Sequence, residues 1–262
     1  MPLTINTNSA AASANYHLSR NQSALQKSLT RLSSGSRIVQ PVDDAGGLAV
    51  SMKLESAIVR LNGAQKNVQN ATSFLEVQDG VLSSAGKILN RMIELKGLSD
   101  DVMKNSSDSA NYNREFQDLQ QQIYDMASLK FNGVSMFATT TTKTGATEAV
   151  FNNTALDHTV SVYVSADGST GATVSVSKSS LLSALTIDAG TLAASRFGAA
   201  GTGNVNSFAA VESSAVINLS DISVGVFTQA IQNVATLRAD NGASMSRLRF
   251  AGEEMGMQET NL

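Results

Sequence analysis

Large apolar residues recur at every seventh position between residues 54 and 89, and this spacing predicts one long helix. The positions are Leu54, Leu61, Val68, Leu75, Leu82 and Leu89. The residue three places after each of them is alanine in four of the six cases, so the two sets together form the seam of a heptad. Small seam residues let helix axes approach closely, and the pattern therefore predicts a tightly packed coiled-coil helix from about residue 44 to residue 98.

Three shorter apolar stripes predict further helices. The first stripe lies near the amino terminus and contains Leu18, Leu25 and Leu32, with Leu29 beside them. The second follows a polar turn region and contains Tyr112, Phe116, Leu119, Ile123 and Met126. The third restores the heptad near the carboxyl end, at Phe227, Val234, Asn241, Leu248 and Met255. Because both chain ends carry seams, we expect them to pack together as an antiparallel bundle.

The middle of the chain, residues 139–221, lacks the heptad and alternates in short runs. "TVSVYVS" (159–165) and "ATVSVS" (172–177) alternate valine with polar residues, and Asp167-Gly168 lies in the connection between them. This pattern predicts a β-hairpin. The predicted fold is therefore mainly α, a long antiparallel α-helical coiled-coil bundle built from both chain ends, with a small β-rich insertion in the middle.

A polar stretch separates the first two predicted helices. Ser33, Ser34 and Gly35 are poor helix formers, and Pro41 disfavours helical backbone angles in the residue before it. Asp43 or Asp44 can then cap the long helix that follows, and both carboxylates suit the positive end of its dipole. The sequence thus predicts a helix break between residues 33 and 44.

The chemistry of the chain offers no candidate active site. Cysteine is absent, which excludes disulfides and thiolate chemistry, and the two histidines, His17 and His158, lie in unrelated segments. The paired acids Asp43 and Asp44 are better explained as helix caps than as metal ligands. We therefore expect no catalytic residue, no metal site and no cofactor.

Charge and hydropathy limit the partners. The net charge of −3 is too small to indicate nucleic acid, and no apolar run reaches the roughly 18 residues of a membrane-spanning helix. Residues 1–42 contain four basic residues and no acidic one. Such a segment is typical either of a targeting signal or of a helix whose acidic partners lie elsewhere, and the two interpretations are compatible.

Five short motifs together resemble bacterial flagellin. They are "INTNS" (5–9), "RLSSGSRI" (31–38), "DDAGGLAVS" (43–51), "FNGV" (131–134) and "LRADNGASMSRL" (237–248). The resemblance covers about residues 1–138 and 225–262. It implies a structural subunit of the flagellar filament that is not an enzyme and that self-assembles through its terminal helices for motility.

The resemblance also implies a domain organisation. Residues 1–43 would form an inner-tube helix and a spoke, residues 44–138 plus 222–262 the helical bundle, and residues 139–221 a variable outer region. The residues expected to form the self-assembly and bundle seam are Leu18, Leu25, Leu32, Leu54, Leu61, Val68, Leu75, Leu82 and Leu89.

Partners and location follow from the same resemblance. The expected partners are other copies of the chain, hook-associated and cap proteins, and the flagellar type III export apparatus. The chain is expected to be secreted and to lie in the extracellular flagellum.

An alternative stays open because flagellins normally continue beyond the position of Leu262. The continuation would supply a second inner-tube helix, and this chain is expected to lack it. The alternative is a non-polymerising flagellin-like interaction protein, either a hook–filament junction adaptor or a shortened flagellin with a regulatory or adhesive role.

The segment "LNRMIELKGL" (89–98) resembles the site that a vertebrate Toll-like receptor grips on flagellins. The candidate receptor patch consists of Leu89, Arg91, Glu94, Leu95 and Glu115. Ile93 departs from the family pattern, in which a polar or charged residue is usual. Arg91 would be the anchor of such an interface, or else it is a solvated residue beside the seam.

Overall fold

A computed structural model describes residues 8–138, 141–142, 149–150, 159–188, 205–207 and 217–262. The chain divides into two compact units, residues 1–59 and residues 60–262. The helix α2 (Ala45–Ser99) begins in the first unit and continues in the second. Its bounds confirm the long helix that the heptad predicts, to within one residue at each end.

The first unit contains α1 (Ser9–Ser34), the connecting residues 35–44, and the beginning of α2. The side chain of Asn8 caps α1 by accepting the backbone N–H groups of Ala10 and Ala11. Gly35 ends the helix with φ of 67°, a left-handed conformation that glycine adopts without strain. The predicted helix break is confirmed, and Asp44 rather than Asp43 caps α2 by accepting the N–H of Gly47 at 2.8 Å.

The second unit is built on three helices: the rest of α2, then α3 (Ser106–Ala127) and α5 (Val224–Asn261). α5 runs antiparallel to α2, because Arg238 pairs with Asp79 whereas Glu259 accepts a hydrogen bond from Gln65. α3 begins at Asn105 in a reciprocal capping box with Asp108. Asp108 occupies the third helical position, and its carboxylate accepts the backbone N–H of Asn105 in return.

Seam residues from all three helices form the core of this unit. On α2 the buried positions include Leu61, Val68, Leu75, Leu82 and Leu89. Phe116 of α3 and Phe227 of α5 are fully buried, with their rings edge to face at 5.9 Å between centroids. Leu54, the first residue of the heptad, is half-buried. The heptad therefore marks the core from Leu61 onward.

The residues described between α3 and α5 form short antiparallel strand pairs. The pairs are β1 (Lys130–Phe131) with β2 (Val134–Ser135), β3 (Thr141–Thr142) with β4 (Ala149–Val150), β5 (Thr159–Tyr163) with β6 (Thr173–Ser177), and β7 (Thr186–Asp188) with β8 (Val205–Ser207). The β5–β6 pair confirms the hairpin predicted from alternation. Its inward valines, Val162, Val174 and Val176, are buried in the same hydrophobic cluster as the helices.

Buried amide side chains tie this β-rich region to the helices. Gln78 of α2 donates to the carbonyl of Met136, and Asn233 of α5 donates to the carbonyl of Ala184 in the short helix α4 (Leu181–Ala184). Gln120 of α3 both donates to the carbonyl of Ile217 and accepts its N–H. These contacts satisfy backbone groups where the chain has no regular ladder. The boundaries predicted at residues 139 and 221 remain a prediction.

Candidate assembly and recognition surfaces

The leucine stripe of α1 lies entirely on the surface of the first unit. None of the residues of α1, all of which are described, is buried. Leu18 is 58% exposed, Leu25 63% and Leu32 81%, and Leu29 is also exposed. An amphipathic helix gains most of its stability by packing its apolar face, yet each leucine of this face is more than half exposed. The structure thus offers a stripe of four leucines for contact with another helix.

The connection between α1 and α2 folds around the carboxylate of Asp43. Its oxygens pair with the ammonium group of Lys27 and, at 3.5 Å, with the guanidinium of Arg31. The hydrogen bond from Lys27, the N–H of Val39 and the charge of Arg31 hold the pKa of Asp43 below its usual value, although burial opposes them. The sequence predicts Asp43 or Asp44 as the cap of α2; Asp44 takes that role, and the carboxylate of Asp43 contacts α1 instead.

The last glycine of the "DDAGG" motif, Gly47, lies where a side chain would not fit. A Cβ atom at this position would lie 2.5 Å from Oδ2 of Asp44 and 3.0 Å from Cδ1 of Ile38. Any larger residue would therefore push away the carboxylate that caps α2. Arg37 lies 3.7 Å from the same carboxylate and adds a weak ion pair.

Arg91 sits at the centre of an ion cluster on the surface of the bundle. Its Nε and Nη2 donate to the two oxygens of Glu115 at 2.7 and 3.1 Å, and its Nη1 donates to Glu94 at 2.8 Å. The hydrogen bonds that Arg91 donates to Glu115, and then to Glu94, raise the pKa of Arg91 above its usual value. The arrangement is a preorganised, half-exposed charge triad that joins α2 to α3.

The other two residues of the candidate receptor patch lie elsewhere. Leu89 and Leu95 are 0% exposed and belong to the bundle core. They support the backbone that carries Arg91 but present no surface to a partner. Of the five residues in the patch, the structure brings Arg91, Glu94 and Glu115 together on the surface.

The described residues contain no group of three or more histidine, aspartate and glutamate side chains that could hold a metal ion. His17 lies on exposed α1, edge to face with Tyr16, and His158 lies outside the described residues. Among the helices that the structure describes, none is both long and apolar enough to cross a membrane.

Comparison with known proteins identifies the family. The family described as the bacterial flagellin N-terminal helical region matches residues 5–142. The chain is 31% identical to the flagellar filament 30.7 kDa core protein of Treponema maltophilum and 28% identical to the flagellar filament 33 kDa core protein of Treponema phagedenis. Each alignment covers 99% of this chain and 83% of the relative.

Two further similarities cover less of the chain or are weaker. A flagellin of Escherichia coli (strain K12) is 33% identical over 139 residues, which are 53% of this chain and 28% of that protein. The crystal structure of Bacillus cereus flagellin superposes with a TM-score of 0.48 at 21% identity, covering 72% of this chain and 88% of that one.

The relatives that align with nearly the whole chain are named as filament core proteins, which are structural. The alternative of a non-polymerising interaction protein is therefore not favoured. Subunits of this kind assemble with copies of themselves into the filament of the extracellular flagellum. The chain belongs to the bacterial flagellin family and is a structural subunit of the flagellar filament.

Proposed function

We propose that α1 is the surface through which copies of this chain contact one another in the filament. The observation that carries the proposal is the exposed stripe of Leu18, Leu25, Leu29 and Leu32 on a helix that is described throughout and has no buried residue. Four leucines on one helical face favour burial against another helix. In this proposal the chain has no catalytic role, and its function depends on the packing of helices between copies.

Replacing one leucine of the stripe should weaken assembly. We expect Leu25→Ser to raise the monomer concentration needed for filament elongation by about tenfold or more. The reason is that burying a leucine contributes about 1.5–3 kcal/mol, and a factor of ten corresponds to about 1.4 kcal/mol. The measurement is elongation from filament seeds, followed by light scattering over a range of monomer concentrations.

Arg20→Ser is the matched control. Arg20 is exposed on the same helix and lies about 140° around the helix axis from Leu25, at 100° per residue. Arg20→Ser should leave the critical concentration, the monomer concentration needed for filament elongation, near that of the unchanged chain. Equal critical concentrations for Leu25→Ser and Arg20→Ser would remove the leucine stripe from the assembly surface.

We also propose that the chain leaves the cell through the flagellar type III export apparatus, guided by its acid-free first 42 residues. Hook-associated and cap proteins would be its neighbours at the two ends of the filament. These partners rest on the family membership of the chain and on the charge distribution of its amino terminus. Removal of the first 42 residues should abolish secretion while intracellular expression persists.

The Arg91 cluster supports a second proposal, recognition by a vertebrate Toll-like receptor. Arg91 is ion-paired with both Glu94 and Glu115 in a half-exposed group, and a planar guanidinium on a helix suits an interface hot spot. Leu89 and Leu95 take part only as the buried support of this surface.

A receptor-reporter assay tests this second proposal. We expect Arg91→Ala to lower receptor signalling by about tenfold or more, which is the range of an interface hot spot. Arg247→Ala, which removes an exposed arginine from α5, should leave signalling unchanged. Strong signalling by the Arg91→Ala chain would exclude Arg91 from the site, and silence of every variant, the unchanged chain included, would contradict recognition altogether.

A further inference from the structure

The connection between α1 and α2 contains one carboxylate that is far less exposed than the segment around it. Most residues from 32 to 46 are exposed, yet the side chain of Asp43 is only 8% exposed. It is covered because three groups converge on it. Lys27 and Arg31 reach it from successive turns of α1, and the N–H of Val39 reaches it from the connection itself.

We propose that Asp43 is a latch that fixes the direction in which α1 leaves the connection. Lys27 and Arg31 are four residues apart and therefore lie on the same face of α1. A single carboxylate that pairs with both of them holds this face against the folded-back connection. Gly35 allows the chain to reverse at the end of α1, and the N–H of Asp43 closes a turn onto the carbonyl of Gln40 at 2.9 Å.

The two adjacent aspartates have different tasks. Asp44 points forward, where it caps α2 through Gly47. Asp43 points back to α1, so its loss should free α1 without uncapping α2. This division of roles makes Asp44→Asn a matched control, because asparagine caps a helix about as well as aspartate does.

The charges around Asp43 give the latch a defined dependence on pH. Lys27 and Arg31 face it from α1, Arg37 and Asp44 pair with each other in the connection, and residues 45–52 of α2 carry no charge. Because its pKa in the folded chain lies below the ordinary value of 3.8, the latch is complete at neutral pH. It weakens only as the pH falls below that value and through the lowered pKa.

The consequence for the filament rests on the role proposed above for α1. A latch that fixes the direction of α1 would present its leucine stripe to the next copy in one orientation, and this preorganisation lowers the entropy lost on assembly. The latch itself, however, is a property of the single chain. It can therefore be tested without assembly.

Distance measurement between two spin labels tests the latch. The chain has no cysteine, so Ser19→Cys on α1 and Ser51→Cys on α2 would carry the only labels. Both serines are exposed. We expect one narrow distance distribution for the labelled chain at neutral pH and for its Asp44→Asn derivative. With Asp43→Asn, the single population should be lost and replaced by a broad one.

Further variants separate the latch from a general loosening of the chain. Replacing both Lys27 and Arg31 by methionine should reproduce the broad distribution, whereas Lys27→Arg should keep the narrow one. As the pH falls below 3.8 and through the lowered pKa of Asp43, the distances in the unsubstituted chain should approach those of Asp43→Asn, whose own distribution should not change with pH. A narrow distribution for Asp43→Asn at neutral pH would overturn the latch. If Asp43→Asn impaired filament elongation but left the distances unchanged, the latch would also be contradicted. The proposed role of α1 in assembly would remain intact.

Discussion

Leu75→Ala should lower the free energy of unfolding by about 2–5 kcal/mol, the usual cost of removing a fully buried leucine side chain. Leu75 is 0% exposed in the middle of the α2 seam. Its backbone carbonyl accepts a hydrogen bond from the buried side chain of Asn241 on α5 at 2.9 Å. The site is therefore braced by the facing helix, and we expect it to relax little around the cavity. Urea unfolding followed by circular dichroism at 222 nm measures the effect.

Val77→Ala provides the control on the same helix. Val77 is 43% exposed and lies two residues from Leu75, so it points away from the seam. Its replacement should change stability by less than about 0.5 kcal/mol, as surface substitutions usually do. If the two variants unfold at the same urea concentration, the assignment of Leu75 to the core is wrong.

The long helix could be predicted because its signal repeats many times. Six large apolar residues at a constant spacing allow one interpretation, and the observed helix, Ala45–Ser99, follows them closely. The β5–β6 hairpin could be predicted for a similar reason, since alternation over two neighbouring runs indicates two strands with one buried face.

Burial along the stripes could be predicted less well. The pattern of α1 shows that Leu18, Leu25 and Leu32 share a face, but it does not show whether a partner for that face lies in the same chain. A family motif suggests a partner for its residues but does not show whether their side chains are exposed. Leu89 belongs both to the heptad and to the motif for receptor recognition, and in the structure the heptad decides its position in the core.

Contacts between single side chains and a distant backbone could not be predicted. Gln78 breaks the series of small seam residues, yet nothing in the sequence connects it with the carbonyl of Met136. The run "DLQQQI" (118–123) contains three consecutive glutamines. Gln120 is buried, but its partner Ile217 lies 97 residues away along the chain.

The side chain of Gln120 joins α3 to Ile217 through two hydrogen bonds. Its amide donates to the carbonyl of Ile217 at 2.8 Å and accepts the N–H of Ile217 at 3.1 Å, and both residues are buried. Methionine has a similar length and flexibility but cannot replace either hydrogen bond. Gln120→Met would leave two buried backbone groups without their partner, at about 1–3 kcal/mol each. Burial of the methionine should offset only part of this loss.

Gln122→Met is the control, because Gln122 is exposed on the same helix and two residues further along. Urea unfolding should show a clear loss of stability for Gln120→Met and almost none for Gln122→Met. Hydrogen exchange should also show faster exchange of the Ile217 amide in Gln120→Met alone, because that N–H has lost its acceptor. Wild-type stability together with an equally protected Ile217 amide would show that Gln120 does not hold the segment at Ile217 to α3.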